Sequence, residues 1–163
     1  MPNTNYLTGG VLSAKLDTVG VDPVHAVGVR CEGNNASEWM YVGPAGAVIN
    51  QYDVVWINQS FVPAQITSDL ADTNGFVGFA QVAFTTSDYG WVMLSGKPTI
   101  NTIASTAKDV HLFTCTTAGF LDDATASGST IQILGVSLVT TQAATAGVAI
   151  AAFPVARRPG AGT

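Results

Sequence analysis

Two histidines, two cysteines and eleven carboxylates are the side chains from which this 163-residue chain could assemble a reaction centre. His111 and Cys115 have the residue types of a base and a nucleophile. On an extended strand, however, residues four apart lie about 13 Å from each other, against a hydrogen-bond reach of roughly 3 Å for a working dyad. His25 follows Asp22-Pro23 and reads as a loop residue. Gly96-Lys97 approaches a phosphate-binding loop, but the spacing from Gly90 is one residue too long, and Pro98 stands where Ser or Thr would bind magnesium. Asp122-Asp123 could lend oxygens to calcium. Such a site takes about six to eight of them, and no DxDxDG pattern surrounds the pair, so a solvated turn is the simpler reading. GxSxG, HExxH and zinc-spaced cysteine pairs are missing from the sequence as well. No enzyme, metal or cofactor is expected.

Aromatic residues are the stronger signal. Trp39, Tyr41, Tyr52, Trp56, Phe79, Phe84, Tyr89 and Trp91 all fall in the first two thirds of the chain. Trp and Tyr dominate binding hot spots and also fill β cores. Trp39 and Trp56 read as core. Tyr89, at a hairpin tip beside Asp88, reads as a surface anchor. Tyr89, Trp91 and Asp88 are also the only candidates for a sugar-binding platform.

The elements that must hold these residues are strands. Only 10% of the residues are charged, against an average of about 25%, while 47% are hydrophobic and the mean hydropathy is +0.33. A membrane span needs about 20 unbroken apolar residues. The best stretch, 143–156, contains Thr145 and Pro154. The abundance of Val, Ile and Thr argues against disorder. A β protein that hides surface against other subunits fits best, because interface cores are depleted in charge; a surface of Ser, Thr, Asn and Gln is the alternative. The net charge of −5 argues against direct nucleic-acid binding, which needs clustered Lys and Arg. Arg157 and Arg158 are the one basic pair, either solvated or docked on an acidic neighbour. The first residues, Met1 to Leu7, predict no secretory signal. Cys31 and Cys115 are expected to be free thiols.

Residues 53–94 and 109–151 read as two copies of one β unit. Asp53-Val54-Val55-Trp56-Ile57 matches Asp109-Val110-His111-Leu112-Phe113, and Val77 to Val82 matches Leu134 to Val139. Gly90 to Leu94 matches Gly147 to Ala151, with equal spacing from Gly78 to Gly90 and from Gly135 to Gly147. Strand spacing is held by the sheet while loops drift. Other expectations are a nine-residue strand over 76–84, a hairpin from it through Thr85 to Tyr89 into 90–94, and a short strand at Phe61 to Ala64 that Pro63, unable to donate to a ladder, keeps at an edge or a bend. One helical turn is expected at Ser68 to Asp72. The fold class is therefore all-β: a single, jelly-roll-like β-sandwich or barrel of about ten short strands with an internal two-fold repeat. An N-terminal arm with the first short strands covers 1–36, the β domain 37–155, and a flexible C-terminal tail 156–163. Runs that are apolar on both faces imply that the second face is covered too.

Ser37-Glu38-Trp39-Met40-Tyr41-Val42, Gln51-Tyr52-Asp53-Val54-Val55, Val77-Gly78-Phe79-Ala80-Gln81-Val82-Ala83-Phe84 and Asp88-Tyr89-Gly90-Trp91-Val92 together resemble the small decoration, or cement, proteins of tailed bacteriophage heads. The resemblance covers 37–96 well and the second unit loosely. It implies a non-enzymatic viral structural protein, a homotrimer made in the host cytoplasm and placed on the outer capsid surface of the virion. There it would clamp neighbouring copies of the major capsid protein, with no direct nucleic acid, no membrane and no cofactor involved. Residues 1–36 depart most from the pattern, which leaves the gripping segment open. Tyr6 and Leu7 in the arm and Arg157 and Arg158 in the tail join Tyr89, Trp91 and Asp88 as candidate contact residues. A carbohydrate- or receptor-binding β module of a phage fibre or tail is the alternative.

Overall fold

The computed structural model describes residues 15–124, 130–143 and 146–157. Among them, twelve strands and one helical turn form two sheets whose strand pairs are all antiparallel. The first sheet holds β1 (Val19–Gly20), β2 (Arg30–Gly33), β3 (Ser37–Val42), β4 (Val54–Ile57), β5 (Pro63–Gln65), β6 (Phe76–Phe79) and β7 (Tyr89–Ser95). Its order is β2-β3-β7-β6-β4-β5, with β1 pairing on β7. The second sheet holds β8 (Thr99–Asn101), β9 (Leu112–Thr114), β10 (Leu121–Asp122), β11 (Gln132–Leu138) and β12 (Ala146–Arg157), in the order β10-β9-β11-β12-β8. The single turn α1 (Ser68–Ala71) is capped by Thr67, whose side chain accepts from the Leu70 amide. The protein is an all-β sandwich of two sheets.

The internal repeat is visible in this order. The path β3-β7-β6-β4-β5 becomes β8-β12-β11-β9-β10 when each strand is replaced by the one five places later. The unit therefore starts one strand earlier than Asp53 and Asp109. Those two aspartates are not equivalent in setting: Asp53 is fully buried, whereas Asp109 is exposed with φ +57°. Gly135, at φ +78°, marks the place where the β11–β12 register shifts. Gly90 and Gly147 do correspond, each being the second residue of its strand and paired to the strand that opens its unit (Val42 and Ile100).

One core lies between the sheets. Trp39, Tyr41, Trp56, Phe79 and Trp91 of the first meet Ile100, Leu112, Ile133, Leu138 and Ala149 of the second. A second core lies on the other face of the first sheet, where Met40, Val42, Val55, Ile57, Val92 and Leu94 are covered by Ala45, Ile49, Ala80 and Phe84. These covering residues belong to the loops 43–53 and 80–88, joined by reciprocal bonds between Ile49 and Phe84 (3.0 and 2.9 Å). Two expectations are corrected here. The strand over 76–84 ends at Phe79, because Ala80 leaves the ladder to bond Tyr52 and Asp53 (2.7 and 3.0 Å). The following hairpin is consequently open, with β6 and β7 paired only at Phe79 and Met93. The cover over this twice-apolar sheet is supplied by the chain itself.

The helical turn and the free thiols are found, and the short strand with Pro63 lies at the sheet edge but spans Pro63–Gln65, because Phe61, at φ +61°, leaves the extended conformation. Residues 15–36 are built into the first sheet, β1 on β7 and β2 on β3. At the other end, β12 runs to Arg157, so the strand continues into the segment read as a tail.

Candidate interaction surfaces

The segment 85–91 divides its candidates between inside and outside. Asp88 is turned inward: its Oδ2 accepts from the amide and the hydroxyl of Thr85 (2.6 and 2.8 Å), and its carbonyl accepts from Ala45 (2.9 Å). The carboxylate thus ties the flap 80–88 and helps to hold it on the loop 43–53. Along β7, side chains alternate. Trp91 and Met93 face the core between the sheets, while Val92 and Leu94 face the flap. Trp91 is accordingly 2% exposed and stands edge-on to Tyr41, with ring centroids 5.2 Å apart. Tyr89 is half-buried and stacks on Tyr41 at 6.4 Å. Of the three residues offered as a platform, only Tyr89 presents appreciable surface.

His25 packs against this aromatic group, 5.2 Å from Tyr41 and 5.3 Å from Trp91. It anchors the segment 21–27, whose Val24 amide donates to the Tyr41 hydroxyl (3.2 Å). Lys15, Asp22, His25, Tyr41, Tyr89 and Trp91 line a cavity of about 220 Å³. A stack of rings beside one carboxylate and one ammonium can seat a small polar ring. Two of its three large rings, however, offer little more than an edge.

The nucleophile candidates are held in a resting form. Burial pushes the Cys115 thiol up and the Asp122 carboxylate adds to the rise, against a smaller lowering by a backbone hydrogen bond of Thr117. Burial and the neighbouring Glu38 carboxylate raise Cys31. Both environments favour the thiol over the reactive thiolate. Asp122 serves a local turn, accepting from the Ala124 amide (3.3 Å), while Asp123 ties a remote loop, accepting from the Ala107 amide (2.7 Å). Among the described residues no group of three or more His, Cys, Asp or Glu is placed to hold a metal ion. Nor does any described helix have the length and apolarity to cross a membrane.

Among the described residues, five of the eleven exposed large hydrophobic side chains lie on the second sheet. Ile150 pairs with Ser137 and Val155 with Leu134, while Val139 bonds the Val148 carbonyl (3.0 Å). Register and alternation put all six on the outer face, joined past the bulge by Phe153. Val139, Val148, Ile150, Phe153 and Val155 are 44, 45, 50, 54 and 60% exposed. The inner face of β12 carries Gly147, Ala149 and Ala151, all buried. The usual amphipathic pattern is thus inverted, with the small residues inside and the large ones outside. A signal for this was present in the alternation Gly147-Val148-Ala149-Ile150-Ala151, but a run of purely apolar residues does not say which parity faces inward. Arg157 closes β12 opposite Gln132. Tyr6, Leu7 and Arg158 lie outside the described residues.

No protein-family model matches this chain, and no curated protein matches it either.

Proposed function

We propose that this chain is a non-enzymatic structural subunit, a capsid decoration protein that trimerises on the outer surface of a bacteriophage head and bridges copies of the major capsid protein. The observation that carries the reading is the apolar ladder on the outer face of the second sheet, Val139, Val148, Ile150, Phe153 and Val155. A contiguous apolar patch of a few hundred Å² is often a functional surface, and the interior of this sandwich is already complete without it. The low charge content points the same way, since obligate contacts resemble a core cut in half. The raised thiols and the binding of Asp122 and Asp123 to backbone amides leave little from which to build a reaction centre. The resemblance of 37–96 to head decoration proteins supplies the partner.

The test is the solution mass at micromolar concentration, by light scattering behind size exclusion, followed by binding to phage heads assembled without this protein. A particle near three times 16.8 kDa that saturates such heads is the expected result. A chain that leaves the heads bare would end the decoration reading. The carbohydrate-binding alternative is favoured only by the cavity beside Tyr89, with Asp22 and Lys15 on its wall. A glycan array without hits removes it.

A further inference from the structure

The two five-strand units do not meet face to face. In β7 the residues beside Gly90, Tyr89 and Trp91, point toward the other sheet. In β12 it is Gly147 itself, with Ala149 and Ala151, that lies on the inner side, while Val148 points away. Since Gly90 and Gly147 correspond, the position of Trp91 corresponds to that of Val148. The backbone gives the same answer independently. Tyr41 and Ala149 both face the core, yet the amide and carbonyl of Tyr41 point away from β7, to Val29 and Gly28 (2.9 and 2.8 Å). The amide of Ala149 instead points to Pro98 (2.9 Å), on the β8 side of its strand. For an L-residue in a strand of given direction, the side taken by its hydrogen-bonding groups fixes the face taken by its side chain. The two sheets therefore present opposite topological faces to the shared core. They stack front to back. The aromatic front of the first unit is filled by the back of the second, and the front of the second is the bare ladder of Val139, Val148, Ile150, Phe153 and Val155.

We infer that this bare front is the surface on which a second copy of the chain docks. The inference deepens the assembly proposed above and takes from that reading only that the chain self-associates. Three observations select a second copy as the occupant. The same topological face already makes a dry contact with a β unit of this fold within each chain. Leu134, Ser137, Val139, Val148, Ile150, Phe153 and Val155 include no ionisable group, so nothing in the ladder would select a charged partner. Finally, the five half-exposed side chains present on the order of 400 Å² of apolar surface, about half of the roughly 800 Å² per partner that a stable pair buries. That suits an apolar interface core completed by a polar rim. A groove of about 190 Å³ at the end of the ladder, lined by Phe76, Leu94, Phe153 and Val155, carries Arg30 on its edge. The Arg30 guanidinium lies over the Phe76 ring at 5.7 Å, which places a charged residue at the border of the patch.

The experiment compares the full chain with a Val148→Lys/Ile150→Lys variant and a Val48→Lys control. Val48 is 54% exposed on the loop 43–53, away from this face. Far-ultraviolet circular dichroism and the emission of the buried Trp39, Trp56 and Trp91 report whether each variant is folded. The expected result is a folded double variant whose self-association is weakened by at least about 30-fold, the scale of a lost hot spot, with the control unchanged. A folded double variant that keeps the wild-type mass overturns the inference. Should the double variant fail to fold, Ile150→Cys replaces it: maleimide labelling at position 150 should be slow in the assembled protein and speed up on dilution. Labelling at the rate of a free thiol at every concentration overturns the inference. So does protection that persists in a monomer, because the chain would then be covering its own face. Head binding separates the two proposals. Association through this face without binding to heads leaves the inference standing and removes the decoration role, whereas head binding by a wild-type monomer does the reverse.

Discussion

At the scale of single residues, Asp53 shows how much a buried carboxylate can organise. It is fully buried, and it accepts from the Asn50 amide (2.8 Å), the Gln65 side chain (2.6 Å) and the Asn101 side chain (3.0 Å). These donors belong to the loop 43–53, to β5 and to β8, so one side chain joins both units. Gly119, at φ +80°, passes so close that a Cβ there would sit 2.6 Å from the Asp53 carboxyl carbon. Replacing Asp53 by Ala takes the acceptor from the Asn50 amide, the Gln65 side chain and the buried Asn101 side chain, of which Asn101 keeps its bond to the Gln51 carbonyl (3.1 Å); the change is expected to cost about 3 kcal/mol, read from guanidinium unfolding, and a loss below ~1 kcal/mol would show that water satisfies the donors. The sequence marked Asp53 as the head of a repeat but hid this role, because its partners are remote in the chain. Trp39 and Trp56 were legible as core. Trp91 and Asp88 were not placed: β7 is apolar on both faces, so no alternation revealed which parity turns inward, and the partner of Asp88 is the turn's own Thr85.

Among elements, the loops 43–53 and 80–88 work as a lid over the first sheet. Phe84 is its centre, wholly buried against Ile49 and the β7 side chains. Phe84→Ala is expected to destabilise the fold by about 3–5 kcal/mol while leaving the assembled mass unchanged, measured by thermal unfolding beside light scattering. A change of mass with stability intact would mean that the lid, and not β12, meets the neighbour. The lid also explains what the sequence could and could not disclose of the fold. Pro63 announced an edge strand, and the spacing of Gly90 and Gly147 announced a repeat, because both are local constraints on backbone geometry. The break after Phe79 was not legible. It depends on bonds to distant partners, such as Gln51 to the Gln81 carbonyl (3.0 Å) and Gln81 to the backbone of Thr99 (3.0 and 3.1 Å). With its outer face sealed from within, the first sheet needs no partner, which narrows the meaning of the missing charges to the second sheet.

For the whole molecule, the two solvent-facing sides therefore differ in kind. Self-association through an apolar ladder depends little on ion pairing, so raising the salt from about 50 to about 500 mM should leave the oligomer mass unchanged or favour it, although Debye screening shortens several-fold. Dissociation in high salt, seen by light scattering, would point instead to charged rim contacts. The order of the units along the chain has a further consequence, in time. The ribosome completes every strand of the first sheet before it makes β8, and domains generally begin to fold as they emerge. While residues 99–157 are still being synthesised, the lid can already close one side of that sheet, but the layer that covers Trp39, Tyr41, Trp56 and Trp91 does not yet exist. Each nascent copy thus passes through a stage with its stickiest face open, among neighbours on the same message in the same state. The small side chains of β12 close that stage when they arrive last.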